Sequence, residues 1–286
     1  MAEIQDFRMD KKPVWCPGCG NFGILTALRG ALADSGYEPH QVMIVSGIGC
    51  HGAVTQYVNA NGFHSIHGRT LPVATGIHLA NHELSVLAMA GDGDGYGIGM
   101  GHFIHAMRRN MDMAHIVHNN KLYSLTTGQT SPTTDKGRPT KSTPFGVIEI
   151  PVNPLTLALS SGATYISRGF AGDPPHLRKL IADAIAHKGF ALVDVLQPCV
   201  TFNHVNTNTF YKERVYKLDE DGNYDTADKM AAYERALEWG EKIPIGLFYR
   251  ESRPTYEDEV VTIRDMPLVK RPVEGVDITK TMEQFL

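Results

Sequence analysis

The sequence predicts an α/β fold, a doubly wound and mainly parallel sheet with helices on both faces, followed by a C-terminal extension. Three observations carry this. Short apolar runs ending in glycine alternate with helical patterns, the order expected of parallel strands that open into ligand-facing turns. Of 28 glycines, 17 fall between Gly18 and Gly101, so that region holds sites built by backbone. Residues 1–211 carry 29 charged side chains and the last 75 residues carry the other 29, so the first three quarters is buried from more than one side.

The elements follow in order. After Asn21, FGILTALRGALADSG keeps Leu25, Leu28 and Leu32 at helical spacing, with Gly36 placed to close the helix. QVMIVSGIG and SVLAMAGDG are buried strands, separated by a loop and a short helix in HSIHGRTLPVATGIHLANH. GMGHFIHAMRRN is a helix and AHIVHNN a strand. The tract from Thr126 to Thr143, rich in Thr, Ser, Pro, Gly and Lys, is the longest stretch without a pattern, and loops of that length are functional or disordered. Asp173 as N-cap, Pro174 in the first turn and Gly189 bracket the helix PPHLRKLIADAIAH, and FALVDVL is the next strand. TADKMAAYERALEWG is an amphipathic helix and IPIGLFY a last strand. Residues 1–205 are expected to form the ligand-binding domain, and 206–286 a charged extension packed on it or on a partner.

A net charge of −4 lacks the basic footprint of a nucleic-acid binder. The N-terminal MAEIQDFRMDKKP has no apolar run of a signal peptide, and no window reaches the roughly 18 apolar residues of a membrane span. The expectation is a cytoplasmic protein with no nucleic-acid or membrane partner.

Four cysteines stand at 16, 19, 50 and 199. Cys16-Pro-Gly-Cys19 is a tight turn that aims two thiols at one point. Disulfides fit poorly without a secretory signal, and a zinc ribbon would pair this CxxC with a second one, whereas Cys50 and Cys199 stand alone. Two distant single cysteines, each just after an apolar strand, suit a cubane that collects its corners from separate loops. Zinc and plain buried thiols remain as alternatives on the residues alone.

Gly91-Asp92-Gly93-Asp94 follows one strand, and Asn119-Asn120 end another about 25 residues later. A carboxylate and a carboxamide at neighbouring strand ends offer hard oxygen ligands to Mg2+, and glycines let backbone amides approach a diphosphate. An EF-hand fails because Tyr96 occupies a ligand position and no Glu closes the loop. A dinucleotide turn is a weak match because its acidic residues would repel a pyrophosphate unless a cation intervened.

This GDG and NN pair resembles the thiamine diphosphate signature. With WCPGCGN, SGIGCHG, HGRTLPVATG, NNKLYSLTTGQTSPT and TFNHVNT, the sequence resembles the beta subunits of 2-oxoacid:ferredoxin oxidoreductases over most of residues 14–220. The resemblance implies a 4Fe-4S cluster on Cys16, Cys19, Cys50 and Cys199. It also implies Mg2+ on Asp92, Asn120 and the backbone carbonyl of Leu122, with Ile48 supporting the bent thiamine cofactor. Gly49, Gly91, Gly93, Asp94, Tyr123 and Thr126 are the further expected cofactor contacts. His67, in the shared HGR turn, is the one histidine of thirteen expected at the reaction centre.

The implied reaction is reversible, coenzyme A-dependent oxidative decarboxylation of 2-oxoglutarate, with electrons passing singly through the cluster to ferredoxin. Pyruvate or a broad range of 2-oxoacids is the alternative substrate, because some relatives carry Lys where this chain has Thr127. A non-redox thiamine decarboxylase and a zinc-stabilised binding module are rivals from other classes. An alpha subunit is expected to supply the carboxylate that activates the cofactor, in a heterodimer or a dimer of heterodimers.

Overall fold

The structure is a computed structural model that describes residues 2–285. Its described residues form an eight-stranded sheet in the order β2-β1-β3-β4-β6-β5-β8-β7. The strands are β1 (Val42–Ser46), β2 (Asn61–His64), β3 (Ser85–Gly91), β4 (Met113–Asn119), β5 (Tyr165–Phe170), β6 (Phe190–Leu196), β7 (Val215–Lys217) and β8 (Ile243–Arg250). The first six are mutually parallel, and β8 runs antiparallel to β5.

Alternation along the strands sorts side chains to two cores. Leu87, Met89, Ala114, Ile116, Ala191 and Val193 face helices α1 (Asn21–Asp34) and α5 (Pro174–Ala186). Val86, Ala88, Ala90, Val117, Phe190 and Leu192 face α2 (Thr70–Ala80), α3 (Met100–Arg108), α4 (Pro154–Ser161) and, after a short α6 (Asn208–Arg214), α7 (Lys229–Leu237). The expected doubly wound architecture is therefore present. Both cores are fully dry at Leu28 and Phe103, where truncation to Ala would cost about 2–5 kcal/mol.

Local chemistry sets the helix ends. The Asp173 carboxylate accepts from the His176 N–H at 3.2 Å, with Pro174 in the first turn, as expected from sequence. Asn153 caps α4 in the same way and Gly162 closes it at φ +84°, although no sequence pattern marks this helix. Asn21 differs from expectation. It lies inside α1 behind Gly20, and its Oδ1 takes a 2.7 Å hydrogen bond with His118 Nδ1 rather than flanking the helix.

The short strands β2 and β7 and the six-residue β5 also lack a sequence signal. Beyond residue 205, β7 and β8 are part of the same sheet, and the chain becomes largely exposed only beyond about residue 260. Among the described residues no helix is long and apolar enough to cross a membrane.

Parallel pairing brings the C-terminal ends of β1, β3, β4 and β6 to one edge. The chain leaves β1 toward β2 and leaves β3 toward β4, so β1 and β3 flank a switch point, where open α/β sheets leave a crevice.

Candidate active site

Two adjoining cavities open at that edge. The first, of about 280 Å3, is lined by Ile48, Gly49, His67, Gly91, Asp92, Gly93, Asp94, Asn120, Leu122, Tyr123 and Thr126. Every residue expected to touch the thiamine cofactor, its metal or the substrate is thus brought to one place. The second, of about 430 Å3, is lined by Cys16, Cys19, Cys50 and Cys199. Gly49, Cys50, Ser124, Leu125 and Gln197 line both.

Sheet register explains the first cavity. Gly91 pairs with His118, so the residues that follow, Asp92 and Asn119-Asn120, leave adjacent strands side by side. Asp92 is 1% exposed, and both of its side-chain donors, Ser131 Oγ at 2.5 Å and Thr133 Oγ1 at 2.6 Å, fall on Oδ2. Burial pushes its carboxyl up to about 6, against the lowering effect of those hydroxyls. A divalent cation would offset that cost of burial. Asn119 is tied away from the cavity, donating to Asp194 Oδ1 at 3.1 Å. Asn120 faces it, and its Oδ1 accepts from the Leu122 N–H at 3.1 Å. The donor set of a hard carboxylate and a carboxamide suits Mg2+.

Asp94 lines the same cavity and is also a hub for the loops around it. Its Oδ1 accepts from the Gly68 N–H at 2.7 Å and the Ile48 N–H at 3.3 Å, and pairs with His67 Nδ1 at 2.9 Å. Its Oδ2 accepts from Thr70 Oγ1 at 3.1 Å. Burial pulls its carboxyl up, but His51 and the Gly68 and Ile48 N–H groups outweigh that and hold it below the usual carboxylate range. A Cβ on Gly47 would lie 1.8 Å from Asp94 Oδ2, so only glycine lets the turn after β1 approach this carboxylate. Tyr123 lies over Gly93 and donates to its carbonyl at 2.9 Å, where a Cβ would meet the ring at 2.4 Å.

The tract from Thr126 to Thr143 contains neither helix nor strand, yet it folds inward. Ser131, Thr133 and Thr134 are buried, and the first two hold Asp92. Thr127 sits at φ +78°, a strained conformation for a β-branched residue, and its hydroxyl accepts from Lys141 Nζ at 2.8 Å. Ser131, Thr133, His51, Ser124 and Gln197 are residues of these cavities or of their walls that sequence reasoning misses. Their only signal is polarity in a loop or at a strand end.

All four cysteines are free thiols. The Pro-Gly turn closes through a Cys19 N–H to Cys16 carbonyl hydrogen bond at 3.0 Å, and the Gly20 N–H ties it to the Pro198 carbonyl at 3.1 Å, beside Cys199. Trp15 Nε1 donates to the Cys50 carbonyl at 2.6 Å. Among the described residues no three His, Cys, Asp or Glu side chains converge closely enough to hold a single metal ion. The sulfurs instead rim a space that a polynuclear cluster would fill. Burial raises the Cys19 thiol to about 11, and the neighbouring Cys199, Cys50 and Cys16 add to the rise.

The comparisons with known proteins agree with this geometry. Residues 47–195 match the thiamine pyrophosphate enzyme, C-terminal TPP binding domain, and residues 199–265 match the C-terminal region of the pyruvate ferredoxin oxidoreductase beta subunit. The chain is 50% identical over 258 residues to the 2-oxoacid:ferredoxin oxidoreductase subunit beta of Saccharolobus solfataricus, covering 86% of this chain and 85% of that one. It is 38% identical over 265 residues to the 2-oxoglutarate synthase subunit KorB of Archaeoglobus fulgidus, covering 92% and 95%. A solved 2-oxoglutarate:ferredoxin oxidoreductase from Magnetococcus marinus, with 2-oxoglutarate, coenzyme A and succinyl-CoA bound, superposes with a TM-score of 0.90 at 38% identity over 99% of this chain and 96% of that one. A thiamine-type crevice beside a four-cysteine cavity, on a fold shared along nearly the whole chain, makes this protein a member of the family of 2-oxoacid:ferredoxin oxidoreductase beta subunits.

Proposed function

We propose that this chain carries the thiamine diphosphate, Mg2+ and 4Fe-4S sites of an oxidoreductase that converts 2-oxoglutarate and coenzyme A to succinyl-CoA and CO2 and reduces ferredoxin. The observation that carries the reading is the turn after β1. Gly49 and Cys50 of that turn line both cavities, so a thiamine site and a four-thiol site share one wall.

When bound, thiamine diphosphate supplies the electron sink for loss of CO2 and the cluster supplies a one-electron acceptor. The chain's own residues bind and position. Asp92, Asn120 and the Leu122 carbonyl would hold Mg2+, while Gly91 and Gly93 leave room for the diphosphate. Ile48, Gly49, Tyr123 and Thr126 would line the organic part of the cofactor. His67, whose Nδ1 is anchored by Asp94, would offer its other ring nitrogen to substrate. Cys16, Cys19, Cys50 and Cys199 would hold the cluster.

The acidic residues lining the thiamine cavity are Asp92 and Asp94, and both carry several hydrogen bonds already. A further carboxylate to activate the cofactor would come from an alpha subunit, in a heterodimer or its dimer. Exposed apolar side chains at Phe63, Ile66, Ile98 and Leu125, and at Phe145, Ile148 and Ile150, offer that partner a surface. For the substrate, Lys141 brings an ammonium to Thr127 and would meet the second carboxylate of 2-oxoglutarate. Pyruvate lacks that group, and a broader 2-oxoacid range would follow if Lys141 did not engage it. We assign the protein to the cytoplasm.

The test is anaerobic co-purification with the alpha partner, followed by iron and sulfide analysis and ferredoxin reduction with a panel of 2-oxoacids. Four irons per chain and the highest kcat/KM on 2-oxoglutarate are expected. Zinc in place of iron would remove the redox reading. Turnover by the partner-free chain would remove the shared active site.

A further inference from the structure

We propose that Gln197 is a positioning residue that links the two cofactor sites, its carboxamide N–H setting the reduction potential of the group held by the four cysteines. The proposal rests on the reading of those cysteines as 4Fe-4S ligands.

Gln197 follows β6 directly. Because Asn119 pairs with Leu196, the next residues of the two strands, Asn120 and Gln197, emerge side by side, and the Gln197 N–H continues the ladder to the Asn119 carbonyl at 3.0 Å. The side chain is 2% exposed and lines both cavities. Its Oε1 accepts from Asn120 Nδ2 at 2.9 Å. Its Nε2 donates to Cys19 Sγ at 3.4 Å and to the Pro198 carbonyl at 3.2 Å.

The direction of these bonds is determined from one end. The Leu122 backbone N–H can only donate, so Asn120 must present Oδ1 to it and Nδ2 to Gln197. Gln197 must then present Oε1 to Asn120 and Nε2 to the sulfur. Reversing the Gln197 amide would set two N–H groups face to face and turn an oxygen toward both the sulfur and the Pro198 carbonyl. A buried amide with three mismatches is costly, so the proton stays on the cysteine side.

An N–H dipole aimed at a ligand sulfur stabilises the more negative, reduced state of a cluster and raises its potential. The same side chain is held in place by Asn120, a residue of the thiamine cavity. What reorients Asn120 therefore reorients the donor to Cys19.

The experiment is a potentiometric titration of the holoenzyme complex, read by electron paramagnetic resonance, with iron counted on each sample. Gln197→Met keeps length and burial but has no donor. It is expected to retain its iron and to make one-electron reduction about tenfold less favourable, which is about 59 mV more negative. Asn120→Asp keeps an oxygen toward Leu122 but presents an acceptor to Gln197, pulling Nε2 away from the sulfur. It too should lower the potential, and by less when Gln197→Met is already present.

An unchanged potential in an iron-replete Gln197→Met, or fully additive shifts, would overturn the proposal. If Gln197→Met loses iron, Gln197→Asn carries the test, since one methylene fewer keeps the amide on Asn120 out of reach of Cys19. A lowered potential supports the proposal and an unchanged one overturns it. A parent complex without iron would instead refute the cluster reading beneath it.

Discussion

Removing the Asp94 carboxylate by Asp94→Ala should loosen the thiamine site without touching the sheet. Four donors lose their acceptor: Gly68 N–H, Ile48 N–H, Thr70 Oγ1 and His67 Nδ1. Hydrogen bonds to a charged acceptor contribute about 1.5–3 kcal/mol each, while relief of desolvating a buried carboxylate returns several. The net loss expected is about 3–5 kcal/mol, the range for removing one partner from a buried ionic group. For a chain of this size that lowers Tm by roughly 10 °C. The Ile48 turn and the Gly68 turn are no longer tied to one point, so thiamine diphosphate affinity should fall at least about tenfold even below the melting range, about 1.4 kcal/mol.

Differential scanning calorimetry and cofactor titration measure the two effects. The pH dependence has a definite sign. The folded Asp94 carboxyl lies below the usual carboxylate range, so its contribution is present above the unfolded value and is lost as pH falls through the folded one. The gap in stability between parent and variant should therefore close in acid. A loss under about 1 kcal/mol with unchanged cofactor affinity would refute the hub role.

Three further outcomes follow. Asp92→Ala and Asn120→Ala should each abolish Mg2+-dependent thiamine diphosphate binding by calorimetry while iron content stays at the parent level, because the two cavities have separate ligands. Burial places the Asp92 carboxyl at about 6, so below that pH a proton competes with Mg2+, and metal affinity should fall about tenfold per pH unit; a flat titration between pH 7 and pH 5 would exclude Asp92 as a ligand. Lys141→Met should raise KM for 2-oxoglutarate about tenfold or more and leave pyruvate turnover near the parent value, and equal effects on both substrates would show that Lys141 does not meet the distal carboxylate.

Much of this protein is legible in the residues alone. Five strands and the helices between them are marked by apolar runs, Gly and Pro punctuation and the Asp173 cap, because strands buried on both faces and helix ends leave local signals. The site is legible through short motifs: GDG, NN, CxxC and the GIG turn each combine a chemical group with a backbone that can approach a ligand. What stays hidden depends on neighbours far apart in sequence. β5, three-residue β7 and exposed β2 carry little pattern of their own and are strands because neighbours distant in sequence pair with them, β6 and β8 on the two sides of β5, and β1 and β8 beside the edge strands β2 and β7. Ser131 and Thr133 read as loop polarity until folding places their hydroxyls on a buried carboxylate. Gln197 is an unremarkable polar residue until the β4 and β6 register sets it between Asn120 and Cys19. Sequence determines which groups are available and how each segment folds locally. Only the tertiary structure decides which group faces which, because a hydrogen bond depends on an approach of about 3 Å that no spacing along the chain encodes.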